Sequence, residues 1–304
     1  MRKRERSQAS AEDHIAVPAA AHRTRMRLRS FRRSWKALIG STILVGIVLA
    51  AALAPHLAPY DPLDQQILDR LKPPVFAGGT SRYPLGTDPV GRDVLSRIIF
   101  GSRVSLAVGL SAVLIGGSLG LTVGLVAGHY GSTADMVMMR IADLQLAIPF
   151  LVLAIAVITV LKPGLLSIVL VLGLSSWVTY ARVARGQVLS VGHRDFVEAA
   201  RALGGSEARV LLRHILPNVI APVIVVATLE VGRMILAEAA LSFLGLGIQP
   251  PAPTWGGITA DGRDYLGTAW WISTLPGIAI LLSVMAINFV GDWLRDVLDP
   301  TITL

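Results

Sequence analysis

The chain has 304 residues, of which 53% are apolar and only 16% charged, with a formal net charge of +8 and no cysteine. Charge falls in blocks between long apolar stretches, which excludes an ordinary soluble domain and makes lipid the solvent for most of the chain. The absence of cysteine excludes disulfides and thiolate metal sites.

The basic excess reads as a topology signal. Eleven Lys and Arg, from Arg2 to Lys36, precede the first apolar stretch. Nucleic-acid binding would need them interleaved with aromatics or set on a folded basic face. Residues 1–37 therefore form a basic cytoplasmic tail, whose mixed charge and small residues read as disorder. The first span follows at 38–54. A cleaved signal peptide is the alternative there, although the basic leader is long for one.

Residues 55–103 form an external loop. Near its end, Asp88 suits an N-cap and Pro89 the first helical position, so a helix is expected to start there and to end at Gly101. Val90, Val94, Leu95, Ile98 and Ile99 share one face, with Arg92, Asp93, Ser96 and Arg97 opposite. This pattern suits an interfacial helix on the outer surface, or else a plain connector. Spans at about 104–127, 141–161 and 165–181 come next, each apolar enough to cross a bilayer. Pro149, inside the third, can serve as a hinge or as a static bend. Asp135, Arg140 and Asp143, around its start, suit interfacial anchors.

The segment 182–217 is basic and carries Asp195-Phe196-Val197-Glu198-Ala199-Ala200-Arg201-Ala202-Leu203-Gly204-Gly205. Its Ala, Leu, Glu and Arg content predicts a helix that Gly204 ends in a left-handed cap. Ser206 suits the cap of a second helix, with Glu207 at its positive end. That helix is expected to stop at Pro217, just before the fifth span at about 219–241. Two short helices held between spans suit a lever moved by a soluble partner; a solvated loop is the blander alternative.

Glu230, Arg233 and Glu238 interrupt the fifth span and must face protein or water. Glu230 and Arg233, three residues apart, can pair. Glu230, Arg233 and Glu238 either line a substrate path or form a structural or intersubunit contact, and for Glu238, near the outer end, simple solvation is a further alternative. A second external loop, 242–268, holds too many Gly and Pro for a long helix and is expected to cover a mouth of the route. The last span runs from about 270 to 290, and residues 292–304 form a cytoplasmic tail. Lys and Arg number 19 on the N-terminal side of the membrane against eight on the other, which puts both termini inside.

Glu198-Ala199-Ala200-Arg201-Ala202-Leu203-Gly204, followed by Ile215-Leu216-Pro217, resembles the EAA loop of permease subunits in ATP-binding cassette importers. His214 stands where that pattern usually has an apolar residue. Leu85-Gly86-Thr87-Asp88 through Gly91-Arg92-Asp93, Ala239-Ala240-Leu241-Ser242-Phe243-Leu244-Gly245, and Gly291-Asp292-Trp293-Leu294-Arg295-Asp296 with Asp299-Pro300 resemble the C-type subunits of the peptide and nickel permease family.

The resemblance implies an all-α, six-span type I importer permease in the bacterial inner membrane. It implies a heterodimer with a sister permease, two ATP-binding subunits docked below, and an external binding protein that delivers dipeptides or oligopeptides. Glu198, Ala199, Ala200, Arg201, Gly204, Leu216 and Pro217 are then the ATPase-coupling residues. The sequence itself has no phosphate-cradling loop, since no Lys follows a Gly. ATP and Mg are therefore expected on the ATPase chains, with no cofactor, metal site or enzyme active site here. A secondary transporter or channel would instead show inverted repeats and charge relays at matching depths. A scaffold would not need the outer loops and the lever together.

Overall fold

The computed structural model describes residues 34–298. The expected N-terminal tail up to residue 33 and the Asp299-Pro300 pair lie outside the described residues. Within them every named element is helical.

Ser34 accepts the Ala37 N–H and opens α1 (Trp35–Ala52), whose apolar side chains mostly face outward, as a lipid-facing span requires. A short helix, α2 (Ala54–Leu57), and two 3-10 turns lead to α3 (Val94–Tyr130). At 37 residues α3 is ~55 Å long, well beyond a ~30 Å hydrocarbon core. Its first turns are the segment expected to be a separate interfacial helix. Pro89 does not start a helix, because Asp88 to Gly91 close a turn with Gly91 left-handed at φ +82°. Asp93 is the N-cap instead, accepting the Ser96 N–H at 2.7 Å, and Gly101 lies inside the continuous helix. Ser96 and Arg97, expected on a solvated face, are buried.

The central packing is α3 against α6 (Leu165–Gly192). Gly116, Gly120 and Gly124 recur every fourth residue along α3 and meet Gly173, Ser176, Trp177, Tyr180, Ala181 and Ala184. Without lipid-driven association, close backbone approach through such small residues is what holds two spans together.

Between them lies the third expected span, and it is broken. α4 (Ser132–Ala147) and α5 (Phe150–Leu161) meet at 92°, with Ile148 extended and Pro149 at the N-cap of α5. Pro149 therefore marks a change of direction far sharper than a kinked helix.

After α6 come α7 (Asp195–Ala202) and α8 (Glu207–Val210). Pro217 does not end the helical run. A π turn over Leu211–Ile215 widens the helix so that Leu216 N–H reaches Leu211 O, and α9 (Leu216–Phe243) continues through Pro217. A wide turn moves the carbonyls that a proline ring would otherwise strike. The result is one 37-residue helical rod, Glu207–Phe243. A seven-residue helix, α10 (Trp255–Asp261), interrupts the second external loop, and α11 (Trp271–Leu298) closes the chain, carrying residues 292–298 as helix rather than tail. Among the described residues five helices are long and apolar enough to cross a membrane, and a sixth span is added if α4 with α5 counts as one.

Candidate coupling and translocation sites

The lever region is built from local rules. Gly204 adopts φ +81°, Gly205 N–H reaches Ala200 O at 3.0 Å and Gly204 N–H reaches Arg201 O at 2.9 Å, which is a Schellman cap on α7. Ser206 has the extended backbone of an N-cap, but its hydroxyl makes no capping bond. Val197, Val210, Leu211 and Ile215 are buried and join the same core as Val188 and Val191 of α6. That core pins α7 and α8 to the membrane helices. The opposite face is open: Glu198, Ala199, Arg201, Ala202 and Gly204 are exposed, and Leu203 is 88% exposed. Leu216 is half-buried and Pro217 exposed at the start of α9.

Glu207 supplies a link that no local pattern announces. Its carboxylate lies 3.0 Å from Nε2 of His129, buried at the end of α3, and 3.5 Å from Nε of Arg201 on α7. α7, α8 and the second long span are thus joined through one side chain.

At membrane depth, Arg233 donates to Glu230 Oε1 at 3.1 Å, so the two pair as their spacing suggests. Glu230 is buried, whereas the Arg233 side chain is 66% exposed. An arginine facing lipid at the bilayer centre costs ~2.5–3.5 kcal/mol. This face of α9 therefore borders water or protein. Beside it the bend between α4 and α5 leaves a cavity of about 290 Å³, lined by Gln145, Pro149, Phe150, Ser176, Arg233 and Met234 among others.

Glu238 is not solvated. It is fully buried: Ser242 Oγ, one turn further along α9, donates to Glu238 Oε1 at 2.7 Å, and from the loop after α9 Gly256 packs against Ala239 and Ser242. α10 is seated by Thr254, which accepts the Gly257 N–H, and by Trp255, whose backbone N–H reaches Ser105 Oγ and whose indole N–H reaches Ile98 O at 2.9 Å. Only Gly accommodates the close approach at position 256. Glu238 is thus far along α9 from Arg233 in environment, and the structure does not make one site of the three charges.

The end of the bundle expected to lie outside holds an ionic cluster, two of whose members, Arg92 and Arg97, the helical pattern places on a solvated face. Asp88 accepts from Arg97 at 2.7 Å and from Arg92 at 2.5 Å, and Asp261 of α10 accepts from Arg97 at 2.8 Å. Asp88 and Arg97 are buried, so each desolvated charge has its counter-ion. This cluster clamps α10 to the first turn of α3 and walls one side of a cavity of about 440 Å³, closed on the other by Phe243 to Thr254.

Residues 120–304 match the family model described as the binding-protein-dependent transport system inner membrane component, and residues 23–74 match the N-terminal transmembrane domain of oligopeptide transport permease C. The chain is 46% identical over 273 residues to a di/tripeptide transport system permease protein of Pseudomonas aeruginosa, covering 90% of each chain. It is 40% identical to a dipeptide transport system permease protein of Haemophilus influenzae, covering 89% of this chain and 92% of that one. To a glutathione transport system permease protein of Escherichia coli it is 39% identical, with 90% and 89% covered. In fold it is similar to a chain of the inward-facing MetNI methionine ABC transporter, with a TM-score of 0.55, 22% identity, and 67% of this chain and 96% of that one covered.

Proposed function

Because this chain belongs to the family of binding-protein-dependent transport system inner-membrane components, we propose that it carries short peptides, as one of two permease subunits of an ATP-driven importer. The sister permease completes the pathway. Two ATP-binding subunits, holding ATP and Mg, dock on the cytoplasmic side, and an external binding protein delivers cargo. Both termini lie inside, in accord with the Lys and Arg distribution. The named peptide permeases among its relatives support the choice of cargo class.

The observation that carries the coupling role is the exposed face of α7 from Glu198 to Leu203, on a unit continuous with the fifth span. An apolar side chain as exposed as Leu203, in a water-facing loop beside Glu198 and Arg201, suits a docking groove on another protein. Glu198 has no side-chain partner within the described residues, which leaves its charge for that groove. Motion of the docked subunit passes upward by the rod Glu207–Phe243 and sideways by Glu207 to His129. ATP shifts the permease only if its subunits grip the two arrangements with different free energies. Nothing favours the secondary-transporter alternative, since the charges at membrane depth gather on one helix.

The test is co-expression of all five subunits and ATP-dependent uptake of a labelled dipeptide into proteoliposomes. Glu198→Lys and Gly204→Asp are expected to leave membrane insertion intact and to abolish ATPase association. Glu207→Gln is expected to keep association but lower uptake per ATP hydrolysed by about fivefold, the effect of losing ~1 kcal/mol of linkage. Unchanged uptake in the first two variants refutes the docking assignment.

A further inference from the structure

The cavity at the bend between α4 and α5 has one feature that distinguishes it from a simple packing defect, which is the state of its polar groups. Gln145 is fully engaged: its carbonyl oxygen accepts the Trp177 indole N–H at 2.6 Å, and its amide donates to Leu174 O at 3.0 Å and Ser175 O at 3.1 Å. The Ser175 and Ser176 hydroxyls donate to Leu172 O and Gly173 O. The remaining walls, Leu146, Ile148, Pro149, Phe150, Leu153, Met234 and Ala237, are apolar. Arg233 alone among the lining residues is charged and has donors to spare. Of its five N–H donors one is used, on Glu230.

Depth adds a second constraint. Arg233 lies ten residues before the end of α9 at Phe243, ~15 Å along the helix, which is half of a ~30 Å core. Four unused donors at that depth call for an acceptor. Glu230, buried and held by its place on the helix, fixes the guanidinium without consuming it. Arg233 is the one charged residue lining the cavity, so an ammonium group entering it meets a positive charge there. A carboxylate meets a fixed fork of donors beside an apolar wall, the arrangement in which an arginine binds it bidentately.

We propose that Arg233 and this cavity form a cargo subsite in the translocation pathway that accepts an organic carboxylate, either the C-terminal carboxylate of a peptide or an acidic side chain. The inference rests on the proposed transport function and names the chemistry of one step in it. The bend at Pro149 is what opens the space, and Phe150 and Met234 supply contact for the carbon skeleton next to the charge.

The experiment uses the complete importer in proteoliposomes, with binding protein saturated by peptides carrying an acidic, neutral or basic side chain, and by their C-terminal amides. For Arg233→Gln the maximal rate is expected to fall about tenfold or more for cargo that uses the subsite, the scale of one charge-assisted hydrogen bond. The KM is expected to stay within about twofold, because delivery is untouched, and Arg233→Lys is expected to recover part of the rate. A loss confined to acidic side chains places that carboxylate at Arg233; a loss shared by all free acids but not by the amides places the C-terminal one. An equal loss for every cargo including the amides, accompanied by failure of the sister permease to co-purify, overturns the subsite and makes Arg233 an intersubunit contact. Unchanged rates in Arg233→Gln also overturn it. Absence of ATP-dependent uptake of any peptide by the unmodified complex overturns the transport function itself, and the subsite with it.

Discussion

Two neighbouring glycines on α3 face opposite fates when given one carbon. At Gly120 an added Cβ overlaps the Trp177 carbonyl oxygen and lies 2.6 Å from Tyr180 Cβ and 2.9 Å from Ala181 N. Carbon atoms rest at about 3.5–4.0 Å, so α3 and α6 must part by roughly 1 Å. The obstacles are mostly backbone, which cannot rotate away, so the upper part of the ~1–3 kcal/mol overpacking range applies. Alanine's helix preference returns ~1 kcal/mol. The net for Gly120→Ala is a loss of ~2 kcal/mol. At Gly117 the nearest atom to an added Cβ is Tyr180 Cε1 at 3.7 Å, an ordinary contact, and the helix preference acts unopposed. Gly117→Ala is therefore neutral or stabilising by up to ~1 kcal/mol. Reversible unfolding of the purified subunit in a mixed-micelle denaturant titration reads both. Equal shifts for the two variants would refute the idea that a close glycine seam holds α3 to α6.

The outer face gives two further expected outcomes. Asp88→Asn leaves Arg97, only 5% exposed, without its nearer counter-ion and is expected to destabilise the external region by ~3–5 kcal/mol, seen as faster hydrogen exchange of the Trp255 and Ser96 amides; Asp261→Asn, at a more exposed carboxylate, is expected to do less. Asp69 is held below the usual carboxylate range, first by the hydrogen bond from Lys72, then by that from Tyr83. A depressed folded pKa means the contribution is present above the unfolded value and is lost as pH falls through the folded one, so the protection factors of amides in residues 66–88, corrected for the intrinsic pH dependence of exchange, are expected to stay flat from neutral pH to about 4 and to fall only below it, with Asp69→Asn removing that acid step.

What the sequence revealed depended on whether the deciding interaction was local. Apolar windows long enough for a bilayer marked the spans, and Gly204 marked the end of α7 because a Schellman cap is complete within six residues. The start of α3 was misplaced by five residues for a tertiary reason. Asp88 followed by Pro89 is the better cap by local rules, but Arg92 and Arg97 claim its carboxylate and Gly91 turns the chain left-handed. The same blindness left solvation open for Glu238, although Ser242 four residues on was a visible hydrogen-bond donor for it. Gly116, Gly120 and Gly124 stood in plain sight at fourfold spacing and would have predicted the α3–α6 seam. His129 and Glu207 had no such signal, being 78 residues apart in sequence.

The course of α9 explains why these separate features belong to one device. Glu207, Arg233 and Glu238 all lie on the single rod Glu207–Phe243, and 26 residues, ~39 Å, separate the cytoplasmic anion from the cation at membrane depth. A helix interrupted at Pro217 would pivot there and dissipate movement of the loop below. The π turn over Leu211–Ile215 keeps the rod continuous while admitting the proline. At the far end the rod is not free either, because Ala239 and Ser242 pack against Gly256 of the helix that Trp255 seats, and Trp255 in turn contacts the first turns of α3. In the proposed importer, displacement of the Glu207 end is therefore resisted at the Phe243 end, and the rod responds by tilting about that clamped end. Arg233 lies between the two ends, so in the proposed importer the guanidinium moves relative to the cavity wall when the coupling unit moves. In the proposed importer, that places release of a bound carboxylate under the control of the ATP-binding subunits without requiring a change in the loops at the other end.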